Sequence, residues 1–381
     1  MKLSASITLA VAIKAASARF NLPSFEQKAI DSGLALSGLS AVALANSAAK
    51  FDKSCNIGNV KIRREWRTLL KAKRRSFIRA VQCVQNTPSI LDPAVLGSKS
   101  LFDDFVFLHL LQTPTIHFTG NFLIWHRWYI HQYELKLNAC GYNGALPYWE
   151  WGFDVDNPRA SPVFDGSDTS MGSDGEFVPG GPVEIQVPGN PPSRVVLAKG
   201  TGGGCVFSGP FKNMTVHLGP ITQPDPTQDN ARCLKRDLNA DAARRFASFR
   251  NTTDLIVNSP TIEIFRTTME ADPGYVPNSI GVHGGGHFTI SGDPGSDAFI
   301  SPGDPVFYLH HAQIDRIYWI WQMLDFDNRQ GVFGTNTLLN LPPSANTTVD
   351  DPIDLGPIAG PVKIKTLMNT VGGTPLCYVY L

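Results

Sequence analysis

Histidine is distributed unevenly along this chain of 381 residues. Eight of the nine histidines lie in two groups, one between residues 109 and 131 and the other between residues 283 and 311. A lone histidine in a protein core usually serves as an ordinary hydrogen-bonding group, but eight of them in two short stretches need another explanation. The pattern predicts two imidazole-rich metal sites. The fold must therefore bring the imidazoles of each group close together, at two sites formed by distant parts of the chain.

The second group has the most informative spacing. His283 and His287 are four residues apart, so on a helix they would lie on one face, a turn apart, where two imidazoles can share one ion. The three residues between them are all glycine, which costs on the order of 3 kcal/mol of helix stability relative to alanine. Two interpretations remain open. Either packing and a metal enforce a helix, or the segment is a loop whose small residues keep space free above the site.

Two adjacent histidines, His310 and His311, follow in a segment with a helix-start signal, in which Asp304 is the expected N-cap and Pro305 the first helical residue. Adjacent residues on a helix point about 100° apart, so we expect one of the two histidines to bind an ion and the other to support the site. Asp315 is predicted either to orient a nearby imidazole or to pair with the arginine that follows it.

The ligand type narrows the choice of metal. All-imidazole sites suit zinc, copper, iron or nickel, whereas oxygen-rich sites suit magnesium or calcium. The chain contains no H-E-x-x-H sequence, so the usual arrangement of a metalloprotease is excluded. Spacing alone leaves zinc and copper open.

The rest of the sequence predicts a mainly α fold with long irregular loops and little β structure. Apolar residues recur at helical spacing from Asn59 to Val84. Further helices are predicted over about 100–111, 121–137, 240–249, 260–270 and 305–324. Between about Asp154 and Asp229 the chain is dominated by Gly, Pro, Ser and Asp, a length of irregular chain that is usually functional or held by cross-links.

The balance of acidic and basic residues indicates which kinds of partner the chain can bind. Lys and Arg total 33, and Asp and Glu also total 33. No net charge draws the chain to nucleic acid or to an anionic membrane, and we expect neither as a partner. A small neutral substrate fits this balance better than a polyanion.

Three features predict secretion. Residues 1–18 resemble a secretory signal peptide, with an apolar stretch too short to span a bilayer. The six cysteines have no C-x-x-C spacing, which favours disulfides, although fifteen pairings are possible. Glycosylation sequons occur at Asn213, Asn251 and Asn346.

Three stretches of the sequence carry a family resemblance. They run from His117 to Tyr129, from Pro147 to Trp151 and from Asp304 to Arg316. They resemble the tyrosinase, catechol oxidase and haemocyanin group of dinuclear type 3 copper proteins, and most closely the short fungal polyphenol oxidases. The resemblance extends from about Arg63 to Tyr380. It implies a copper-binding catalytic domain over residues 55–381, preceded by an N-terminal extension over residues 19–54.

The resemblance implies a four-helix bundle around two copper ions. One ion would be bound by His109, His117 and His126, and the other by His283, His287 and His311. The implied reaction is the oxidation of o-diphenols to o-quinones by O2, with ortho-hydroxylation of monophenols as a further activity, so a small phenol and O2 would be the partners. The alternatives are an oxygen carrier and a non-catalytic accessory protein of a biosynthetic pathway. The oligomeric state is left open.

A catalytic carboxylate is also implied. Glu270 lies in a segment that resembles the family's helix whose glutamate holds a water able to deprotonate a phenol. The alternative is an ordinary solvent-facing carboxylate at a helix end.

The sequence departs from the family pattern at three positions. Thr115 stands where many members have a cysteine cross-linked to the second histidine ligand, so that thioether is absent. Gly284 stands where efficient monophenol hydroxylators often have asparagine, which favours diphenol oxidation. Ala298 corresponds to the bulky gate residue of some catechol oxidases, or Phe299 does if the alignment shifts by one residue.

The family's Tyr-x-Tyr mark corresponds to residues 378–380, and we expect an enzyme that is active without proteolysis.

Overall fold

A computed structural model describes residues 22–91, 93–189 and 191–381. The predicted signal peptide, residues 1–18, lies outside this range. The helices are α1 (Leu22–Asp31), α2 (Leu34–Ser47), α3 (Lys71–Asn86), α4 (Leu101–Ile116), α5 (Phe122–Ala139), α6 (Ala240–Phe246), α7 (Phe249–Val257), α8 (Ile262–Glu270), α9 (Gly281–Ile290) and α10 (Val306–Leu324). The short strands are β1 (Lys61–Arg63), β2 (Gly175–Phe177), β3 (Val183–Val187), β4 (Ser193–Leu197), β5 (Gly203–Val206), β6 (Thr215–Val216), β7 (Arg232–Cys233), β8 (Pro352–Ile353), β9 (Val362–Lys363) and β10 (Tyr378–Tyr380).

Four helices, α4, α5, α9 and α10, form the bundle that carries the two histidine groups. Helix α10 is buried along almost its whole length, from Val306 to Met323. A helix that is buried all round lies at the centre of a fold, and α10 has this position. The prediction of a mainly α fold with a four-helix bundle and little β structure is confirmed.

Aromatic side chains fill the space between three of these helices. Tyr133 of α5 stacks on Tyr308 of α10, and Phe105 of α4 packs edge-on against both rings. The Tyr129 hydroxyl donates a hydrogen bond to the Phe105 carbonyl at 2.7 Å. Because flat rings in offset or edge-on contact fit in few ways, this packing fixes α4 and α5 against α10.

The N-terminal segment packs on the bundle. Leu36 and Ala43 of α2 are buried, and the Asn46 side chain donates to the Met323 carbonyl at the end of α10. The boundary placed at residue 55 stays a prediction. In the described part of the chain no single helix is long and apolar enough to cross a membrane, and one bent pair, Phe25–Asp31 with Leu34–Lys50, meets the requirement by length and composition only.

The prediction of one continuous helix from Asn59 to Val84 is wrong in its first part. Residues Lys61–Arg63 form β1, which pairs in parallel with β10 at the other end of the chain, and the helix begins only at Lys71. The apolar spacing of the segment fits a helix locally, but the strand's partner is more than 300 residues away. No local pattern reports such a partner.

The predicted helix over 240–249 is shorter in the structure. Helix α6 ends at Phe246, and a second helix, α7, begins at Phe249. Ser248 is the N-cap of α7, where its side chain and that of Asn251 form a reciprocal capping box.

The segment between Asp154 and Asp229 contains more order than its composition indicates. Strands β3 and β4 form an antiparallel hairpin in which buried and exposed side chains alternate. Strands β2 with β5 and β6 with β7 form two more small sheets. The disulfide Cys205–Cys233 lies in this region.

The disulfide prediction is confirmed for all six cysteines. Besides Cys205–Cys233, the pairs are Cys55–Cys377 and Cys83–Cys140. The first of these joins residues 322 positions apart and fixes the end of the chain near its beginning.

Candidate metal centre

The first histidine cluster lies where α4 meets α5. His109 is on α4, His117 follows the last residue of α4, and His126 is on α5. All three are buried, and their ligand-capable nitrogens lie within 4.8 Å of one another. The structure therefore brings together the three residues that the sequence places in the first set.

Backbone carbonyls orient these three imidazoles. His109 Nδ1 lies 2.8 Å from the Phe299 oxygen, and His126 Nδ1 lies 2.8 Å from the Phe122 oxygen. His117 Nδ1 has a longer contact of 3.3 Å to the Thr113 oxygen. Because a carbonyl only accepts, each contact assigns the proton to Nδ1 and leaves Nε2 with a free lone pair. The Nε2 atoms of His109 and His126 are buried without a hydrogen-bond partner, as expected of atoms placed to bind an ion.

The second cluster lies between α9 and α10. His287 Nε2 is 3.1 Å from His283 Nε2 and 3.2 Å from His311 Nε2. Imidazole nitrogens bound at about 2.0–2.1 Å to one tetrahedral ion lie roughly 3.3 Å apart, so this separation fits a shared metal. The residues present therefore fit an ion at this point.

The glycine-rich spacer in this cluster is helical, which resolves the two open interpretations in favour of an enforced helix. A Cβ on Gly286 would lie 2.2 Å from His310 Nδ1, and one on Gly285 would lie 2.8 Å from the Phe246 backbone. No larger residue fits where α9 lies against α10 and α6. Close packing in the folded state thus offsets the poor helix propensity of the segment.

His310 lies on the side of the second cluster that faces away from the first. Its ring stacks with that of His283 and lies 5.3 Å from that of Trp151. His311 instead stacks on His126 with the ring centroids 4.4 Å apart. His311 is therefore the member of the adjacent pair that faces the other cluster, although the nitrogens of His310 also lie within 4.8 Å of the second set.

The electrostatics of both clusters favour metal binding. Burial lowers the pKa of His117 to about 4 and that of His287 to about 3, in each case far below the usual value. Burial also lowers the pKa of the other four well below that value, and neighbouring imidazoles add to the effect. The six imidazoles are therefore neutral near pH 7, which is the form that binds a metal ion.

Glu270 is buried beside the clusters. Its side chain is 1% exposed, so the alternative of a solvent-facing carboxylate is wrong. Oε1 accepts a hydrogen bond of 2.7 Å from the Phe118 backbone N–H, and Oε2 lies 3.3 Å from Arg266 Nη1. Phe118 has a φ of 52°, an unusual value for a residue with a side chain, and this turn follows directly after His117. Burial raises the pKa of Glu270 to about 7, against the opposing effect of Arg266.

A cavity of about 320 Å³ opens onto this region. Glu270 and three of the histidines, His117, His283 and His287, line it, as does Gly284 between the last two. Ala298 and Phe299 both line it, and which of them corresponds to the gate residue stays a prediction. A volume of this size is typical of a small-molecule site.

Several further cavity residues were missed in the sequence, among them Ile185, Gln186, Val187 and Pro188. They belong to the β3–β4 hairpin, inside the segment that was predicted to be irregular. Apolar and polar residues alternate over 183–187, and the β-branched pair Val195–Val196 follows a Pro- and Gly-rich turn; this is the signal that would have identified the hairpin.

The remaining histidines lie elsewhere. His131 stacks on Trp128 and on Tyr378, and His217 pairs with Asp229 at 2.8 Å. Both therefore have structural contacts outside the two clusters.

Both predicted roles of Asp315 are wrong. It pairs with Arg127 and Arg63, whereas the neighbouring Arg316 pairs with Glu150. On a helix, adjacent side chains point in different directions, so Arg316 faces another part of the core.

Comparisons with known proteins agree with this geometry. Residues 99–324 match the family model described as the common central domain of tyrosinase. An N-acetyl-6-hydroxytryptophan oxidase of Emericella nidulans is 36% identical over 374 residues, which cover 91% of this chain and 99% of the relative. A tyrosinase-like protein of the same fungus, orsC, is 38% identical over 308 residues, covering 75% of this chain and 81% of the relative. Among solved structures, a polyphenol oxidase variant from Thermothelomyces thermophila superposes with a TM-score of 0.84 at 38% identity, covering 91% of this chain and 98% of that one.

Proposed function

This chain belongs to the tyrosinase family of oxidoreductases, whose cofactor is a pair of copper ions, and we propose that it oxidises o-diphenols to o-quinones with O2. The observation that carries the proposal is the position of the two histidine clusters. The clusters adjoin each other, with the His126 and His311 rings 4.4 Å apart. His117 of one cluster and His283 and His287 of the other line a cavity large enough for a phenol.

We assign His109, His117 and His126 to one copper ion and His283, His287 and His311 to the other. The assignment rests on convergence and on the lone pairs left free at Nε2. His310 is assigned a supporting role, because its ring lies against Trp151 and Gly286 on the side away from the first cluster.

The copper pair, when bound, supplies the redox chemistry that couples oxidation of the phenol to reduction of O2. The chain's own residues do the rest. Phe118, Phe288 and Phe299 give the cavity apolar walls that hold an aromatic ring and exclude water. The Glu270 carboxylate, at the same wall, is placed to accept a proton from the substrate hydroxyl through a water.

Diphenol oxidation is the favoured activity. Gly284 offers no side chain between His283 and His287, so this position provides no polar group to orient a water or a monophenol hydroxyl. The open cavity above the clusters also supports an enzyme over an oxygen carrier, since a carrier has no need to admit an aromatic substrate.

The proposal is tested by measuring O2 consumption and quinone formation by the copper-loaded protein with a catechol and with the matching monophenol. We expect two quinones for each O2 consumed from the catechol, and slow or delayed turnover of the monophenol. Reversible O2 binding without turnover would indicate a carrier, and copper loading with neither activity would indicate an accessory protein. Either result contradicts the proposal.

We also propose that the protein is secreted. Its three disulfides fit an oxidising compartment. Asn213 and Asn346 are exposed, whereas Asn251 is engaged in the cap of α7, so glycans are expected at the first two sequons. Mass analysis before and after glycosidase treatment tests this.

A further inference from the structure

The β3–β4 hairpin forms one wall of the cavity and is held there by a small hydrophobic cluster of its own. Ile185, Val187, Val195 and Leu197 of the hairpin pack on Ala242 and Phe246 of α6 and on Ile280. The same cluster contacts Phe118 and Phe288 at the cavity. Because the buried face of the hairpin is packed on α6, the residues that reach the cavity have defined positions.

The charged side chains that line the cavity are acidic. Among the described residues that line it, Glu270 and Asp297 are acidic, and there is no Lys or Arg. Asp297 accepts hydrogen bonds from the backbone N–H groups of Ile221 at 2.8 Å and Phe299 at 2.9 Å, so its carboxylate is fixed in place. The cavity lining thus combines apolar residues of the hairpin with a fixed carboxylate.

Neighbouring arginines do not offset the charge of Asp297, although Arg266 offsets that of Glu270. Arg266 is committed to Glu270 and to Asp272, and it lines a separate cavity behind Phe118. Arg194 lies on the outer face of the hairpin, where it pairs with Glu184. Neither guanidinium is free to receive an anion in the substrate cavity.

From this wall, and resting on the proposed function, we infer the class of substrate. The structure assigns the cavity to catechols whose ring substituent is uncharged or carries an amine. Catechols whose substituent carries a carboxylate should be poor substrates. A carboxylate on the far end of the ring would lose its hydration in an apolar cavity, find no Lys or Arg side chain among the described residues there and lie near Asp297. An uncharged apolar substituent would pack on Ile185 and Val187, and an ammonium group would be attracted to Asp297.

Three catechols with a side chain of similar length at position 4 test the inference: 4-ethylcatechol, 2-(3,4-dihydroxyphenyl)ethylamine and 3-(3,4-dihydroxyphenyl)propanoic acid. With the copper-loaded full chain near pH 7, we expect kcat/KM to be at least about tenfold lower for the acid than for the other two, mainly through KM. Oxidation of the acid as efficiently as the amine overturns the inference alone. Failure to oxidise any of the three overturns the proposed function and this inference with it.

A charge change on the hairpin gives a second test. Gln186 is an exposed residue that lines the cavity, so Gln186→Lys adds a cation to the cavity wall without disturbing the core. We expect this variant to raise kcat/KM for the acid at least about threefold relative to the amine, with a smaller effect at high salt. Gln27→Lys on α1, away from the cavity, is the matched control and should leave the ratio unchanged. An equal effect of the two variants on the ratio overturns the inference.

Discussion

Asp315 of α10 accepts a hydrogen bond of 2.6 Å from Arg127 Nε of α5, and both side chains are buried. Arg127 follows His126 directly, and Asp315 lies one helical turn after His311. The pair therefore holds the two helices in register at the point where each contributes an imidazole. The hydroxyls of Tyr378 and Tyr380 also donate to Asp315, which ties the last strand to the same place.

Removal of this carboxylate should destabilise the protein strongly. Asp315→Ala leaves Arg127 and Arg63 buried without their shared partner, and we expect a loss of about 3–5 kcal/mol in the free energy of unfolding. Denaturant unfolding measures it. Asp327→Ala is the control, because Asp327 is 81% exposed in its pair with Lys50 and should contribute less than about 1 kcal/mol. Equal effects of the two variants would show that the network has no structural importance.

The pH dependence of the Asp315 contribution has a definite sign. Burial alone would raise the pKa of Asp315, but Arg127 and Arg63 outweigh it and hold that pKa below the usual value. A lowered pKa means that the stabilisation is present above the unfolded-state value of about 3.9 and is lost as the pH falls through the folded-state value. The difference in stability between the wild type and Asp315→Asn should therefore shrink below about pH 4. A constant difference down to pH 2 would contradict this.

The contribution of Glu270 to stability should have the opposite pH dependence. Burial raises its pKa to about 7, so the folded metal-free protein holds a proton that the unfolded chain releases above about 4.5. The stability of the metal-free wild type should consequently fall as the pH rises from about 4.5 to about 7, by on the order of 3 kcal/mol. Glu270→Gln should remove this part of the pH dependence, whereas Glu26→Gln on the exposed face of α1 should keep it. Identical pH profiles for wild type and Glu270→Gln would refute the account.

Two glycine substitutions separate packing from helix propensity. Gly38→Ala, in the interior of α2 with nothing near the added Cβ, should stabilise the protein by up to about 1 kcal/mol. Gly286→Ala gains the same propensity but places its Cβ against the His310 ring, so we expect a net loss of about 1–3 kcal/mol and weaker metal binding by the second cluster. Thermal unfolding and metal titration of both variants check this. Stabilisation by both would mean that α9 is not closely packed.

The sequence alone was sufficient to predict features that depend on residues close together in the chain. The helix expected over 121–137 is observed as Phe122–Ala139, and that over 305–324 as Val306–Leu324. The Asp304 side chain also accepts from the Val306 N–H, as predicted for a helix start. Local spacing also indicated that His283 and His287 share one face of a helix, whereas the two full sets of three histidines were implied by the family resemblance.

Features that depend on distant residues could not be predicted in this way. The glycine-rich helix is enforced by packing on α6 and α10, which leave no room for a side chain at Gly285 or Gly286. Strand β1 exists because β10 pairs with it. The partners of Asp315 come from three separate elements of the chain, β1, α5 and β10, so local spacing indicated the wrong ones. The β3–β4 hairpin did carry a local signal, which the surrounding Gly and Pro residues obscured.

The central claim is that six histidines hold two copper ions, and metal analysis of matched histidine variants tests it most directly. The copper-loaded wild type should contain two copper ions per chain, and His217→Gln should retain both, since His217 pairs with Asp229 outside the clusters. His109→Gln and His287→Gln should each retain no more than one copper and lose catechol oxidation. A wild type that binds fewer than two, or variants of both clusters that keep two copper ions and full turnover, would contradict the account.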